Sequence, residues 1–301
     1  MNINALVISY NSPIADSPTL QSLLKVDSKN IKLTIHIWNN GPNLFEEHDV
    51  IKYIRECNEK EIDIYIYQDT RNISLAKIYN YIISKKNFDF IAILDQDSTI
   101  NSDYMENIIK NHNYDLIFPR IITGKGDVLT QSHPHSSKDK NILINEGPVS
   151  SSMSSITSGL VLSKKLISKM EKYRGYVFEE KLGFYGIDVD FFIIINRMIE
   201  EKIPINAYCI GSINHSLSFD DEIEVKKPFR YIEMLYFKIF FRKNHQKKNI
   251  LTTLWICLRE ILRGKMNIYN ATSLLLFIFT NTHPRSKFNI KKHVTQNQKI
   301  K

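Results

Sequence analysis

Cysteine is scarce in this chain. Cys57, Cys209 and Cys257 are odd in number and far apart, so neither a disulfide framework nor a zinc-binding spacing is present. A reducing cytoplasm is therefore the expected setting. Long apolar runs are lacking too: "ATSLLLFIFT", at 271–280, is too short to span a bilayer. The chain opens on "INALVISYN", which reads as a strand and not as a signal peptide. No internal repeat and no nucleic-acid-binding motif stands out. Carboxylates nearly vanish after residue 225. From Lys226 to Lys301 there are 17 Lys or Arg against only Glu233 and Glu260, a balance of +15, while residues 1–225 carry −7. This shift places a boundary near residue 225, between an acidic body (1–225) and a basic extension (226–301). A basic extension favours an anionic partner, here a membrane surface over a nucleic acid.

What is present reads as α/β. Residues 1–120 alternate strand-like and helix-like segments. "NALVISY" ends at Asn11, Ser12 and Pro13, and a helix surrounds "TLQSLLKV". "KLTIHIWNN" alternates at period two and stops at Asn-Asn-Gly-Pro, a turn signal. "DVIKYIRECNEK" and "SLAKIYNYIISKK" have helical spacing, with "IDIYIYQD" between them as a strand and "FDFIAILD" after them as a fourth. Such alternation with short connections implies a mostly parallel sheet flanked by helices. Ligands in such sheets sit beyond the carboxyl ends of the strands. Asn39, Asn40, Asp95 and Asp97 lie at ends of that kind. Residues 124–156 read as a mobile loop, with His133 and His135 as exposed loop histidines ahead of the competing reading as metal ligands. Asp188 and Asp190 precede an apolar helix, Phe191 to Ile199, and a later strand ends at His215.

The run "FIAILDQDSTI" ends a buried strand in two carboxylates one residue apart. Asp95 and Asp97 in this setting suit a hard divalent cation, Mg²⁺ or Mn²⁺, which takes oxygen ligands and neutralises charge on a leaving phosphate. The competing reading is that they cap a following helix. The letters "DQDST" also match the D-x-D-x-T of haloacid-dehalogenase-type phosphatases, in which Asp95 would be the nucleophile. That motif usually opens its chain, and here some 90 residues precede it.

A second resemblance covers residues 3–220. "LVISYNS", "IWNNGP", "RNISLAKIYNYII" (Asn72, Ala76, Asn80), "AILDQDS", "SITSGLVLSKKLI", "FEEKLGFYGIDVDFFI" and "INHSLS" follow in the order of landmarks of family 2 glycosyltransferases with the GT-A fold. "AILDQDS" is similar to the "LLDQDS" of their rhamnosyltransferase-like bacterial branch. Asn39 stands where an acid is usual, Ser74 where Gly is common, and Ser218 ends the late "H-x-x-G". The resemblance implies a Rossmann-like GT-A domain, to which the charge shift and helical spacing add a C-terminal basic helical extension. It implies donor contacts from Ser9, Asn11, Asn39, Asn40, Arg71, Asn72, Asp95, Gln96 and Asp97, and Mg²⁺ or Mn²⁺ held by Asp95, Asp97 and His215. Asp188 or, second, Asp190 would be the catalytic base of an inverting transfer, the other being its like-charge neighbour or the group that orients it. The implied donor is a nucleotide sugar, dTDP-rhamnose first, with UDP-hexose or galactofuranose transfer as the alternative. The implied acceptor is a lipid-linked saccharide of bacterial surface polysaccharide, such as O-antigen, at the inner face of the cell membrane.

In the extension, "FRYIEMLYFKIFFRKN" and "NILTTLWICLREIL" are helical by spacing, and Leu251, Leu254, Leu258 and Ile261 share a face. Apolar faces bordered by Lys and Arg suit either an anionic bilayer surface or packing on the body.

Overall fold

A computed structural model describes residues 1–27, 31–125, 128–150, 152–215, 228–264, 266–290 and 295–296. The first half follows the pattern of alternating elements: β1 (Asn2–Ser9), α1 (Pro18–Leu23), β2 (Lys32–Asn39), α2 (Glu47–Glu59), β3 (Asp63–Gln68), α3 (Leu75–Ile83) and β4 (Phe90–Asp95). β2 and β4 both pair with β1, and β3 pairs with β2, all in parallel. Side chains alternate across these strands. Ile3, Ala5 and Val7 enter one apolar layer, under α1, α2 and a later helix, while Leu6 and Ile8 enter the other, under α3. Burial on both faces explains why these strands are nearly continuous apolar runs.

The second half adds β5 (Ser98–Thr99), α4 (Tyr104–Lys110), β6 (Leu116–Lys125), β7 (Val128–His133), β8 (His135–Ser136), β9 (Gly147–Val149), β10 (Met153–Ser154), β11 (Leu160–Ser163), α5 (Lys164–Arg174), α6 (Ile187–Glu200) and β12 (Ala207–His215). The sheet runs β3-β2-β1-β4-β11-β6-β12-β5, with β11 antiparallel to its neighbours. Residues 124–156 are not a structureless loop. β7 pairs with β6, β9 with β12, and β10 with β8, so cross-strand bonds take up much of the segment's backbone. α6 also begins earlier than expected, at Ile187, which puts Asp188 and Asp190 inside its first turn.

The expected boundary near residue 225 lies outside the described residues. The extension forms α7 (Pro228–Asn244), α8 (Ile250–Leu262), α9 (Ile268–Thr280) and an edge strand β13 (Thr295–Gln296) antiparallel to β3. Ile232, Leu235, Ile239 and Phe240 of α7 belong to the same apolar layer as Phe191 of α6 and Ile78 of α3. Between α9 and β13, the Ser286 hydroxyl donates to the Glu180 carbonyl, and Lys77 donates to the carbonyls of Ser286 and Phe288. Glu233 lies buried against His283 and Arg285. The extension thus shares the body's core and closes over α3.

Candidate active site

Strand register builds the site. Ser9 pairs with Asn39, Asn39 with Gln68, and Ile8 with Asp95, so the polar strand ends form one rim at the carboxyl edge. β4 delivers Asp95, and the turn behind it carries Asp97. β5 then pairs Ser98 with His215 at the end of β12, which brings the histidine against the two carboxylates. His215 Nδ1 is 3.4 Å from Asp97 Oδ1, and Nε2 is 3.9 Å from Asp95 Oδ2. The three donor atoms lie within 4.8 Å of one another. The helix-capping alternative does not hold: α4 begins only at Tyr104.

This cluster is braced from below. The Asp95 amide donates to Ser158 Oγ (3.1 Å), which lies 2.7 Å from Ser98 Oγ, itself 2.9 Å from His215 Nδ1. A hydroxyl on one ring nitrogen fixes the ring and leaves the other nitrogen for a ligand. Partial burial pushes the Asp95 carboxyl up to about 6; His215 opposes the rise, while Asp97 and Asp188 add to it. Two carboxylates and one imidazole, crowded until one acid resists ionising, fit a divalent cation. Mixed oxygen and nitrogen donors suit Mn²⁺ better than the all-oxygen preference of Mg²⁺.

Asp188 projects from the first turn of α6. Burial raises its carboxyl above the usual range, and the Val189 amide donates to it (2.8 Å). Tyr79 of α3 lies buried beside both Asp95 and Asp188, which help hold its phenol protonated after burial itself. Asp190 is placed differently. It is buried, and Arg174 (2.7 Å) and His245 (2.9 Å) each take one of its oxygens. Burial alone would raise its carboxyl; the His245 and Arg174 hydrogen bonds hold it below the usual range. Asp190 therefore ties α5 and the residue that follows α7 to α6, and at 2% exposure it is shut away from an acceptor.

The expected donor contacts divide in the same way. Asn11 lies exposed at the rim with a left-handed φ of 50°. Asn39 and Asn40 are buried and spend their amides on the chain: Asn39 on Asn43 and Gly41, Asn40 on both backbone groups of Ile73. Gln96 receives the Ser9 hydroxyl and the Tyr10 amide, so Ser9 and Gln96 hold the end of β1 to the D-x-D turn. Arg71 forks onto Asp69 and lies over the Phe288 ring, with Asn72 beside it near Asn40. Ser9, Asn39, Asn40 and Gln96 thus shape the rim through the backbone, and Asn11 remains open to a ligand.

Three residues join the site that sequence reasoning did not place there. Tyr79 lies inside the run "SLAKIYNYIISKK", whose helical spacing does not mark it out. His133 and His135 read as exposed loop histidines, but both are half-buried, with rings 5.1 Å apart. Burial first, then His135 and His215, push His133 down to about 4. The pairing of His133 with Ile121, and of Ile121 with Ile213, accounts for this position.

Among solved structures, the chain resembles S. aureus TarS residues 1–349 in complex with UDP, at 16% identity and a TM-score of 0.52, over 99% of this chain and 96% of that one. GalNAc-T7 with UDP, GalNAc and Mn²⁺ matches at 10% identity and 0.52, over 72% and 44%. The fold is GT-A. Longer S. aureus TarS matches at 14% identity and 0.50; 97% of this chain aligns, spanning only 45% of that chain's length. No protein-family model and no curated protein matches the sequence.

Proposed function

We propose that this protein is a metal-dependent, inverting glycosyltransferase that uses a nucleotide sugar. The observation that carries the reading is the Asp95–Asp97–His215 cluster at the carboxyl edge of a GT-A sheet, with the half-buried Asp188 beside it. Asp95, Asp97 and His215 would hold Mn²⁺ or Mg²⁺, which when bound neutralises charge on the leaving diphosphate. Asp188 accepts the proton of the acceptor hydroxyl. The hydroxyl oxygen then bonds to the anomeric carbon as the bond from that carbon to the diphosphate oxygen breaks. A carboxylate raised by burial suits proton removal near neutral pH. Tyr79, kept protonated, supports the floor between donor and base. A D-x-D on the fourth strand of a GT-A sheet leaves the phosphatase reading without its scaffold.

The proposed donor is dTDP-rhamnose, from the likeness of "AILDQDS" to the rhamnosyltransferase-like branch. A UDP-linked sugar is the second reading, favoured because the TarS and GalNAc-T7 structures hold UDP. The proposed acceptor is a saccharide on a lipid carrier at the inner face of a bacterial membrane. Residues 1–225 would form the catalytic body and 226–301 its basic extension. A panel of dTDP- and UDP-sugars, assayed for binding and hydrolysis with Mn²⁺ or Mg²⁺, tests the reading. One or more donors should bind only with metal, and absence of binding across the panel sinks it.

A further inference from the structure

The apolar stripe of α8 faces outward. α8 buries Thr253, Ile256, Cys257 and Glu260, while Leu251 is 67% exposed, Trp255 58%, Leu258 51% and Leu262 78%. These four recur at helical spacing and make one continuous ridge. α9 extends it with Ile268 at 87% and Tyr269 at 79% exposure. An apolar patch of this extent on a folded protein marks a surface that is covered in use.

Charge decides what covers it. The carboxylates of residues 228–290 are Glu233 and Glu260 alone, and both are buried. Glu233 lies against His283 and Arg285; Glu260 accepts from Arg259 and Tyr231. What this segment presents to solvent is therefore cationic: Lys238, Lys247, Lys248 and Arg263 are exposed around the ridge. Between α7 and α8 a groove of about 430 Å³ is lined by Leu251 and Trp255 together with Lys238, Arg242 and Arg259. Arg259 lies over the Trp255 ring. An apolar ridge that includes an exposed Trp and Tyr, bordered by cations, matches the headgroup zone of an anionic bilayer. A second copy of this chain fits poorly, because a symmetric contact through this face would set lysine against lysine with no exposed carboxylate in the segment to answer. No helix among the described residues is long and apolar enough to cross a membrane, so the chain would lie on the surface.

We infer that the ridge of α8 and α9 docks the protein in plane on anionic phospholipid. The ridge is one helix away from the candidate base: Phe237 of α7 abuts Gly186, two residues before Asp188. Docking would thus set the site close above the headgroups, and its use to reach a lipid-linked acceptor rests on the glycosyltransfer reading.

Flotation with phosphatidylcholine vesicles, with and without phosphatidylglycerol, tests the inference on the full chain. Wild type should float only with the anionic vesicles, and high salt should release it. Lys238→Gln/Lys247→Gln/Lys248→Gln should weaken binding roughly fivefold per lysine. Trp255→Ser/Leu258→Ser should abolish flotation. All these positions are exposed, so circular dichroism and metal-dependent nucleotide binding should stay as in wild type. Flotation without nucleotide binding would leave the docking face standing and remove the glycosyltransfer reading; nucleotide binding without flotation would do the reverse. Equal flotation by all variants overturns the inference. So does a wild-type dimer in light scattering that Trp255→Ser/Leu258→Ser splits while vesicle binding stays absent.

Discussion

Asp188 and Asp190 differ by two residues and should fail in opposite ways. Asp190→Ala removes a carboxylate that balances a buried guanidinium and a buried imidazole from two other elements. Removing one partner of a buried charge pair costs about 3–5 kcal/mol, because the remaining charge stays desolvated. With an unfolding entropy of about 2.1 cal/mol/K per residue over the 301-residue chain, the melting temperature should fall by about 5–8 °C. Asp188→Ala removes a half-buried carboxylate whose backbone bonds come from its own amide and its neighbour's, so its effect on stability should stay within about 1 kcal/mol. Scanning calorimetry reads the first effect, and sugar transfer with product analysis reads the second. The Asp190 carboxyl is held below its unfolded value, so its contribution is present above the ordinary carboxylate range and is lost as pH falls through the lowered value. The wild-type melting temperature should therefore drop more steeply in acid than that of Asp190→Ala. If Asp188→Ala melts low and still transfers sugar, while Asp190→Ala melts normally and is inactive, the assignment is reversed and the reasoning fails.

Other outcomes follow from the same geometry. Gly186→Ala should destabilise by about 2–5 kcal/mol, since φ is +80° and a Cβ would meet the Phe237 ring at 1.9 Å; Phe237→Ala in the same chain should recover part of the loss in thermal melts. Glu233→Ala should cost about 3–5 kcal/mol by stranding His283 and Arg285, and a normal melt would contradict the buried pairing. Because Asp188 is raised by burial and must be ionised to accept a proton, activity should fall on the acid side above the ordinary carboxylate range; a rate flat down to pH 4 removes it as the base. His133→Ala should alter Mn²⁺ affinity or donor KM without lowering the melting temperature, and unchanged kinetics would return it to the role of a bystander.

The strand–helix order to residue 95 was legible because its signals are local: period-two runs, helical faces, and Asn, Gly or Pro at the ends. Asp95 and Asp97 were legible because an apolar strand that ends in charge is conspicuous. His215 reaches them only through the pairing of β12 with β5, which no local pattern encodes, and the family resemblance alone supplied it. While Asp188 and Asp190 were placed before the helix, only the family resemblance favoured Asp188 over Asp190. Inside it, positions i and i+2 lie about 200° apart, so one faces the site and the other the core. The polar strand ends Asn39, Asn40 and Gln96 were found as positions, but their partners are backbone groups brought near by folding. On α8 the face read from spacing shares Leu251 and Leu258 with the exposed ridge, but Leu254 packs against the core while Trp255 and Leu262 face out; periodicity does not say which way a face turns.

Calorimetric titration of a nucleotide-sugar donor with Mn²⁺, run beside a transfer assay on wild type, Asp97→Ala and Asp188→Asn, tests the central claim most directly. The account predicts that Asp97→Ala loses metal-dependent donor binding with its fold intact, while Asp188→Asn binds donor and metal as wild type does and transfers no sugar. Donor binding that ignores both Mn²⁺ and Asp97, or normal transfer by Asp188→Asn, would contradict it.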